Sequence, residues 1–293
     1  MRDGPTSDGP ASDGPRVWVN GALVAPGEAR LSPFDHGLLV GDGVFETLRV
    51  YGGVPFAWTR HLDRLARSAS GLGLPLPDRD DLRHAADEVL AANGVDEARL
   101  RITVTGGPAP LGSERGETAP TVIVAATACG PPPEAVSVVI VPWARNERGA
   151  TTGLKTISYA ENVRALAHAR SRGADEAVFA NTRGNLCEAT GSNVFFLDDD
   201  DVLVTPPAEA GCLLGVTRAL TIELCARLGI RCAERDVTVD ALRAAREAFL
   251  TSTTREVQAI SAVDGAPLAS APGELTRTLA DAFTKLVASD LDP

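Results

Sequence analysis

The chain has 293 residues, a formal net charge of −11 and a pI near 4.9, enough length for two domains that each bury a core. The acidic balance argues against a nucleic-acid partner, no apolar run approaches the roughly 20 residues of a membrane span, and no signal peptide is read at the start, so a cytoplasmic protein is expected. The five cysteines (Cys129, Cys187, Cys212, Cys225, Cys232) form no CxxC and the four histidines are scattered. Reduced thiols and no metal site are therefore expected.

Residues 1–15 repeat Asp-Gly-Pro with little apolar surface to offset ordering, so a disordered tail is expected there. Arg16 to Gly21 reads as a strand entering an Asn-Gly hairpin turn. Gly41-Asp42-Gly43 is a sharp bend before an alternating strand, Val44 to Val50, and a second strand follows at Val54 to Trp58. Thr59 is placed to cap a helix, Arg60 to Ser70, with Leu62, Leu65, Ala66 and Ala69 at helical spacing. Arg60 lies in that helix's first turn, where a cation gains nothing from the dipole, which hints at an anion nearby. A helix over Asp80 to Ala92 stops at Asn93-Gly94, and strands follow at Arg99 to Thr105 and Thr121 to Ala126. Gly130-Pro-Pro-Pro-Glu134 reads as a stiff linker, dividing a small N-terminal α/β domain (16–129) from a larger one (136–293) across residues 130–135.

The second half carries the chemistry. Of the 28 basic residues only two are lysines, Lys155 and Lys285. A guanidinium stays charged, whereas an amine can be deprotonated by burial and can condense with a carbonyl. Lys155, just after Gly153 in a helix-like stretch, is the candidate amine; Lys285 reads as the solvated face of a tail helix (Leu279, Phe283, Leu286, Val287). Glu188 sits between an apolar return strand and the small-residue loop Ala189 to Asn193, so it should be buried and need a partner. Asp198 to Asp201 reads as a hairpin tip. Gly215 before a helix, with Val216 and Thr217 in its first turn, offers amides and a hydroxyl to a phosphate. The strand Ala248 to Leu250 runs into Thr251-Ser-Thr-Thr254, four hydroxyls for an anion pocket or a strand end.

These stretches resemble the fold-type IV pyridoxal-phosphate enzymes, the group of branched-chain and D-amino-acid aminotransferases and aminodeoxychorismate lyases. The blocks are GDGVFETLRV, RHLDRL, GLKTISYAENV, NLCEATGSNVF, LLGVTRA and LTSTTREV, and the likeness runs from about Val17 to Ile260. It implies an α/β (α+β) fold of two domains with pyridoxal 5'-phosphate in the interdomain cleft, and a homodimer. It implies that Lys155 forms the Schiff base and moves a substrate proton, and that Glu188 pairs with the pyridine nitrogen. Arg60, Val216, Thr217 and Thr253 would hold the phosphate.

The resemblance is finer at some positions than at others. Branched-chain enzymes usually carry a second Glu where this chain has Ser192, and EATGSNVF and LTSTTREV lie closer to the D-amino-acid and lyase branches. The D-amino-acid carboxylate trap would fall at Leu111, Ser113 and Phe45, which do not supply it. Arg49, Arg115 and Arg255 are the candidates to replace it, with Phe45, Tyr159 and Thr254 completing the substrate set. The expected activity is amino transfer between a D-amino acid, or an (R)-amine, and a 2-oxo acid. Aminodeoxychorismate lyase is the runner-up, and a non-catalytic protein binding a phosphate ligand is the third reading.

Overall fold

The computed structural model describes residues 14–293, so the expectation for the tail falls outside it except at the last two residues. Strands β1 (Val17–Val19) and β2 (Ala22–Val24) form the expected hairpin. Asn20 and Gly21 turn it at φ of 48° and 93°, the left-handed pair such a two-residue turn needs. A short helix α1 (His36–Val40) follows, which the sequence did not reveal. The Asp35 carboxylate accepts from the Gly37 amide to start it, and Gly41, at φ 70°, ends it.

Next come β3 (Gly43–Tyr51), β4 (Val54–Pro55), α2 (Trp58–Leu72), α3 (Arg79–Asn93), β5 (Ala98–Thr105) and β6 (Thr121–Ala128). These strands make one antiparallel sheet in the order β2-β1-β6-β5-β3-β4. Leu48, Val50, Leu100, Ile102 and Val104 point from it onto Leu62, Leu65 and Ala69 of α2 and Leu82, Ala86 and Val89 of α3. Burying each large side chain contributes about 1.5–3 kcal/mol.

Two expectations about α2 need correction. The strand before it stops at Pro55, and Thr59 lies inside the helix rather than capping it. Asp292 does the capping instead, accepting from the Thr59 amide at 2.9 Å and its hydroxyl at 2.6 Å.

The second sheet is built from β7 (Ala135–Arg145), β8 (Glu176–Asn181), β9 (Leu186–Ala189), β10 (Asn193–Leu197), β11 (Leu203–Thr205), β12 (Cys232–Glu234), β13 (Ala248–Ser252), β14 (Glu256–Val263) and β15 (Ala266–Pro267). Its order is β12-β11-β10-β13-β14-β7-β8-β9, with β15 on β14. Helix α4 (Ala160–Ser171) packs on β7 and β8; α5 (Val216–Leu228) and α7 (Glu274–Ser289) share a core with Phe195 and Phe249, and α6 (Val239–Ala244) contributes Leu242 to another. Phe195 and Phe249 stack at 5.0 Å. Lys285 is exposed on α7 and Asp198 to Asp201 turns β10 into β11, both as read.

The two sheets meet through the segment carrying Lys155. That segment is extended, not helical, and α4 begins only at Ala160. Its backbone pairs with the start of β3: Phe45 N donates to Lys155 O at 3.1 Å, and Ile157 N to Gly43 O at 2.9 Å. Those bonds hold residues 155–157 as a short added edge, which explains the late helix start.

Candidate active site

A cleft of about 1170 Å³ opens between the sheets. Period-2 alternation puts Phe45 and Thr47 of β3 and Arg99 and Arg101 of β5 on its wall, while Leu48, Leu100 and Ile102 face the core. Lys155 lies among them. Its amide donates to the Ser68 hydroxyl at 3.0 Å, fixing the residue against α2. Its Nζ stands 3.4 Å from the Tyr159 hydroxyl and 4.2 Å from the centre of the Phe45 ring. Burial, and then the nearby Arg64 charge, lower the amine's pKa from 10.5 to about 8. At neutral pH roughly one amine in ten is then free of its proton, far more than for a solvated lysine. Burial and the Glu188 charge push the Tyr159 phenol up to about 12, so it stays a hydrogen-bond donor.

Glu188 lines the same cleft from β9. One carboxylate oxygen accepts from the Leu213 amide at 2.9 Å, and the other faces Arg145 Nε at 3.5 Å. Burial raises its pKa against the opposing pull of Arg145. Helix α5 aims its N-terminus into the cleft, with Gly215, Val216 and Thr217 on the lining. Among the described residues no side chain caps that end and no acid occupies its first turn, so its amides are open to an anion. Gly215 is required there, because a Cβ would collide with the Asn193 side chain. Thr253, Thr254 and Arg255, in the turn between β13 and β14, complete the rim.

The structure separates the arginines the sequence had grouped. Arg60 is not on the cleft lining; it grips Glu223 at 2.7 and 3.1 Å and the Pro293 carbonyl at 2.6 Å. Arg64, one helical turn further, is the α2 cation that reaches the cleft, contacting Leu214 O beside the α5 N-terminus. Arg49 is likewise outside, bonded to Glu97, Cys129 and the Gly130 carbonyl. Arg115 clasps Asp42. Arg255 does line the cleft, but Glu176 at 2.9 Å and Gln258 at 2.5 Å already engage it.

Arg101 was missed. Its guanidinium lies 3.7 Å over the Phe45 ring, it bonds only the Thr103 hydroxyl, and no carboxylate pairs with it among the described residues. The alternation of β5, with Arg99, Arg101 and Thr103 on one face, was the signal that would have found it.

A family profile described as amino-transferase class IV matches residues 43–263. This chain belongs to the class IV aminotransferases. A Methanocaldococcus jannaschii protein, provisionally named a branched-chain-amino-acid aminotransferase, is 32% identical over 92% of this chain and 95% of its own. The D-alanine aminotransferase of Bacillus licheniformis is 31% identical over 94% and 98%. A branched-chain amino acid aminotransferase from T.th., solved with pyridoxamine 5'-phosphate, superposes with a TM-score of 0.87, at 28% identity over 94% of each chain.

The family's cofactor is pyridoxal 5'-phosphate, and the cleft fits it. Fit requires an amine for its aldehyde, an acid for its ring nitrogen and donors for its phosphate, and Lys155, Glu188, Arg64 and the α5 amides all line one cavity. Two buried hydroxyls on the same lining, Ser192 Oγ and Thr251 Oγ1, have no hydrogen-bond partner among the described residues. Unmet buried polar groups of this kind mark a surface made to meet a polar ligand.

Proposed function

We propose that this aminotransferase moves an amino group between a D-amino acid and a 2-oxo acid, with Arg101 receiving the substrate carboxylate. The observation that carries the carboxylate role is the placement of Arg101: a cation without an acid partner among the described residues, 3.7 Å from the centre of the Phe45 ring that also lies 4.2 Å from the Lys155 amine. A partly buried charge so placed is stabilised when an anion arrives. The exposed Arg99 on the same wall has room for a second carboxylate, as in a dicarboxylic 2-oxo acid. The D configuration rests on the likeness of EATGSNVF and LTSTTREV to the D-amino-acid branch. A homodimer is part of the same reading.

Lys155 Nζ would hold the cofactor and then carry the proton removed from the substrate Cα. Tyr159 would keep that amine oriented through its hydroxyl. Arg64, Val216, Thr217 and Thr253 would hold the phosphate, and Phe45 would wall the reacting atoms from water. When bound, the cofactor supplies an electron-withdrawing ring that stabilises negative charge at the substrate Cα.

The test is amino transfer to 2-oxoglutarate from D-alanine, D-glutamate, L-leucine and L-valine, with 4-aminobenzoate release measured from aminodeoxychorismate in parallel. Turnover with the D-amino acids is expected, and Lys155→Ala should abolish it together with the borohydride-trapped adduct. Arg101→Leu should raise the KM for 2-oxoglutarate about 10- to 100-fold while leaving an (R)-amine, which has no carboxylate, nearly unaffected. Transfer from L-amino acids alone would overturn the configuration, and 4-aminobenzoate release without transfer would overturn the activity.

A further inference from the structure

Glu188 has a neighbour whose role the reaction outlined above does not use. Arg145, at the end of β7, has its Nε 3.5 Å from the Glu188 carboxylate, and that buried Nε has no hydrogen-bond partner among the described residues. The rest of the guanidinium is held firmly. Its face lies 4.3 Å from the centre of the Phe179 ring, and Phe179 is the cross-strand partner of Glu188. Its NH1 donates to Asn162 at 3.1 Å and Glu161 at 3.3 Å, and Asn162 is itself bonded to the Thr190 carbonyl. The arginine is thus fixed on the side of the acid away from its amide contact.

We propose that Arg145 is a positioning residue that decides where the proton rests between Glu188 and the cofactor's ring nitrogen. The inference deepens the proposed function and rests on its assignment of Glu188 to that nitrogen. Two arrangements contain the same single proton: a neutral acid against a neutral ring, or a carboxylate against a protonated ring. Only the second makes the ring a strong electron acceptor. Burial alone favours the neutral pair. A fixed positive charge beside the carboxylate favours the charged one.

The other groups facing Glu188 do less. The Leu213 amide donates one hydrogen bond, and the Lys155 charge favours the carboxylate less than Arg145 does. Tyr159 and Cys212 have their pKa values pushed up to about 12, and burial raises Cys187 as well, so all three remain neutral donors. Glu161 lies beyond Arg145 at the solvent edge.

The experiment loads wild type, Arg145→Gln, Arg145→Lys and Asn162→Ala with pyridoxal 5'-phosphate carrying 15N in the ring and reads the ring-nitrogen chemical shift. Wild type should report a protonated nitrogen. Arg145→Gln should move the shift toward the unprotonated value and slow exchange of the substrate Cα proton about 100-fold. Arg145→Lys should recover most of both, and Asn162→Ala, which loosens the guanidinium without removing it, should shift the signal less but in the same direction. An Arg145→Gln or Asn162→Ala shift equal to wild type overturns the proposal. Failure of wild type to take up the cofactor at Lys155, or a wild-type nitrogen indifferent to Glu188→Gln, would instead sink the underlying reading of the cleft.

Discussion

Glu46 and Glu188 are both glutamates on strands bordering the cleft, each beside an arginine, and their acidities are displaced in opposite directions. Burial pushes Glu46 up, but a two-pronged grip by Arg64 at 2.8 and 2.7 Å, with His61 at 2.7 Å, outweighs it and holds the acid well below the ordinary carboxylate range. Burial pushes Glu188 up too, and a single amide with a more distant arginine does not compensate. The difference lies in how many donors each acid already has. Glu46 is fully partnered and serves to fix Arg64; Glu188 keeps bonding capacity in reserve for something else.

Removing each acid in turn separates the two sites most strongly. Glu46→Ala strands Arg64 and should cost about 3–5 kcal/mol in urea unfolding. Glu188→Gln should change stability by less than about 1 kcal/mol, because Arg145 keeps Glu161 and Asn162, while slowing turnover about 100-fold with cofactor binding retained. Equal stability losses in the two variants would dissolve the distinction.

Acid titration should distinguish the two acids by sign. The lowered pKa of Glu46 means its contribution is complete above the ordinary carboxylate value of about 4.3 and is lost as the pH falls below it. Glu188 has the opposite sign: the folded state holds its proton longer than the unfolded chain, so stability declines as pH rises through its raised value. Urea midpoints of the apoprotein between pH 3 and 7 should show a shallower acid loss in Glu46→Gln and a gain toward neutrality in Glu188→Gln.

The smallest effect concerns the amine that both acids approach. Lys155→Met should raise the Tm of the apoprotein at pH 7 by a few degrees, about 2–4 °C, by removing a charge from a buried site. Between pH 8 and 10.5 the unfolded lysine keeps a proton the folded one has shed, so wild type gains stability and the gap should close. A gap constant across that range would deny the perturbed amine.

Much of this was legible in the sequence because scarcity and adjacency are local. Lys155 stood out against arginine usage, Glu188 was flanked by an apolar strand and a small-residue loop, and Gly215 announced the α5 start. What was not legible depends on partners far along the chain. Arg60 and Arg64 are one turn apart on α2, and only Glu46 and Leu214, from other elements, reveal that the second faces the cleft. At the α2 start itself, where Arg60 sits, Asp292 already accepts from the Thr59 amide. The capping turn of α1 was hidden by glycines that read as a bend. Arg145 carried no local signal, because only the fold brings the last residue of β7 beside Glu188 on β9.

The lysine's peptide, though it follows β7, is stitched by backbone bonds to β3. Recombination with a relative between β6 and β7 would therefore give the nucleophile a foreign supporting strand while leaving its acid counterpart among native neighbours. Hybrid proteins meant to exchange substrate pockets should keep residues 43–45 and 155–157 from the same parent.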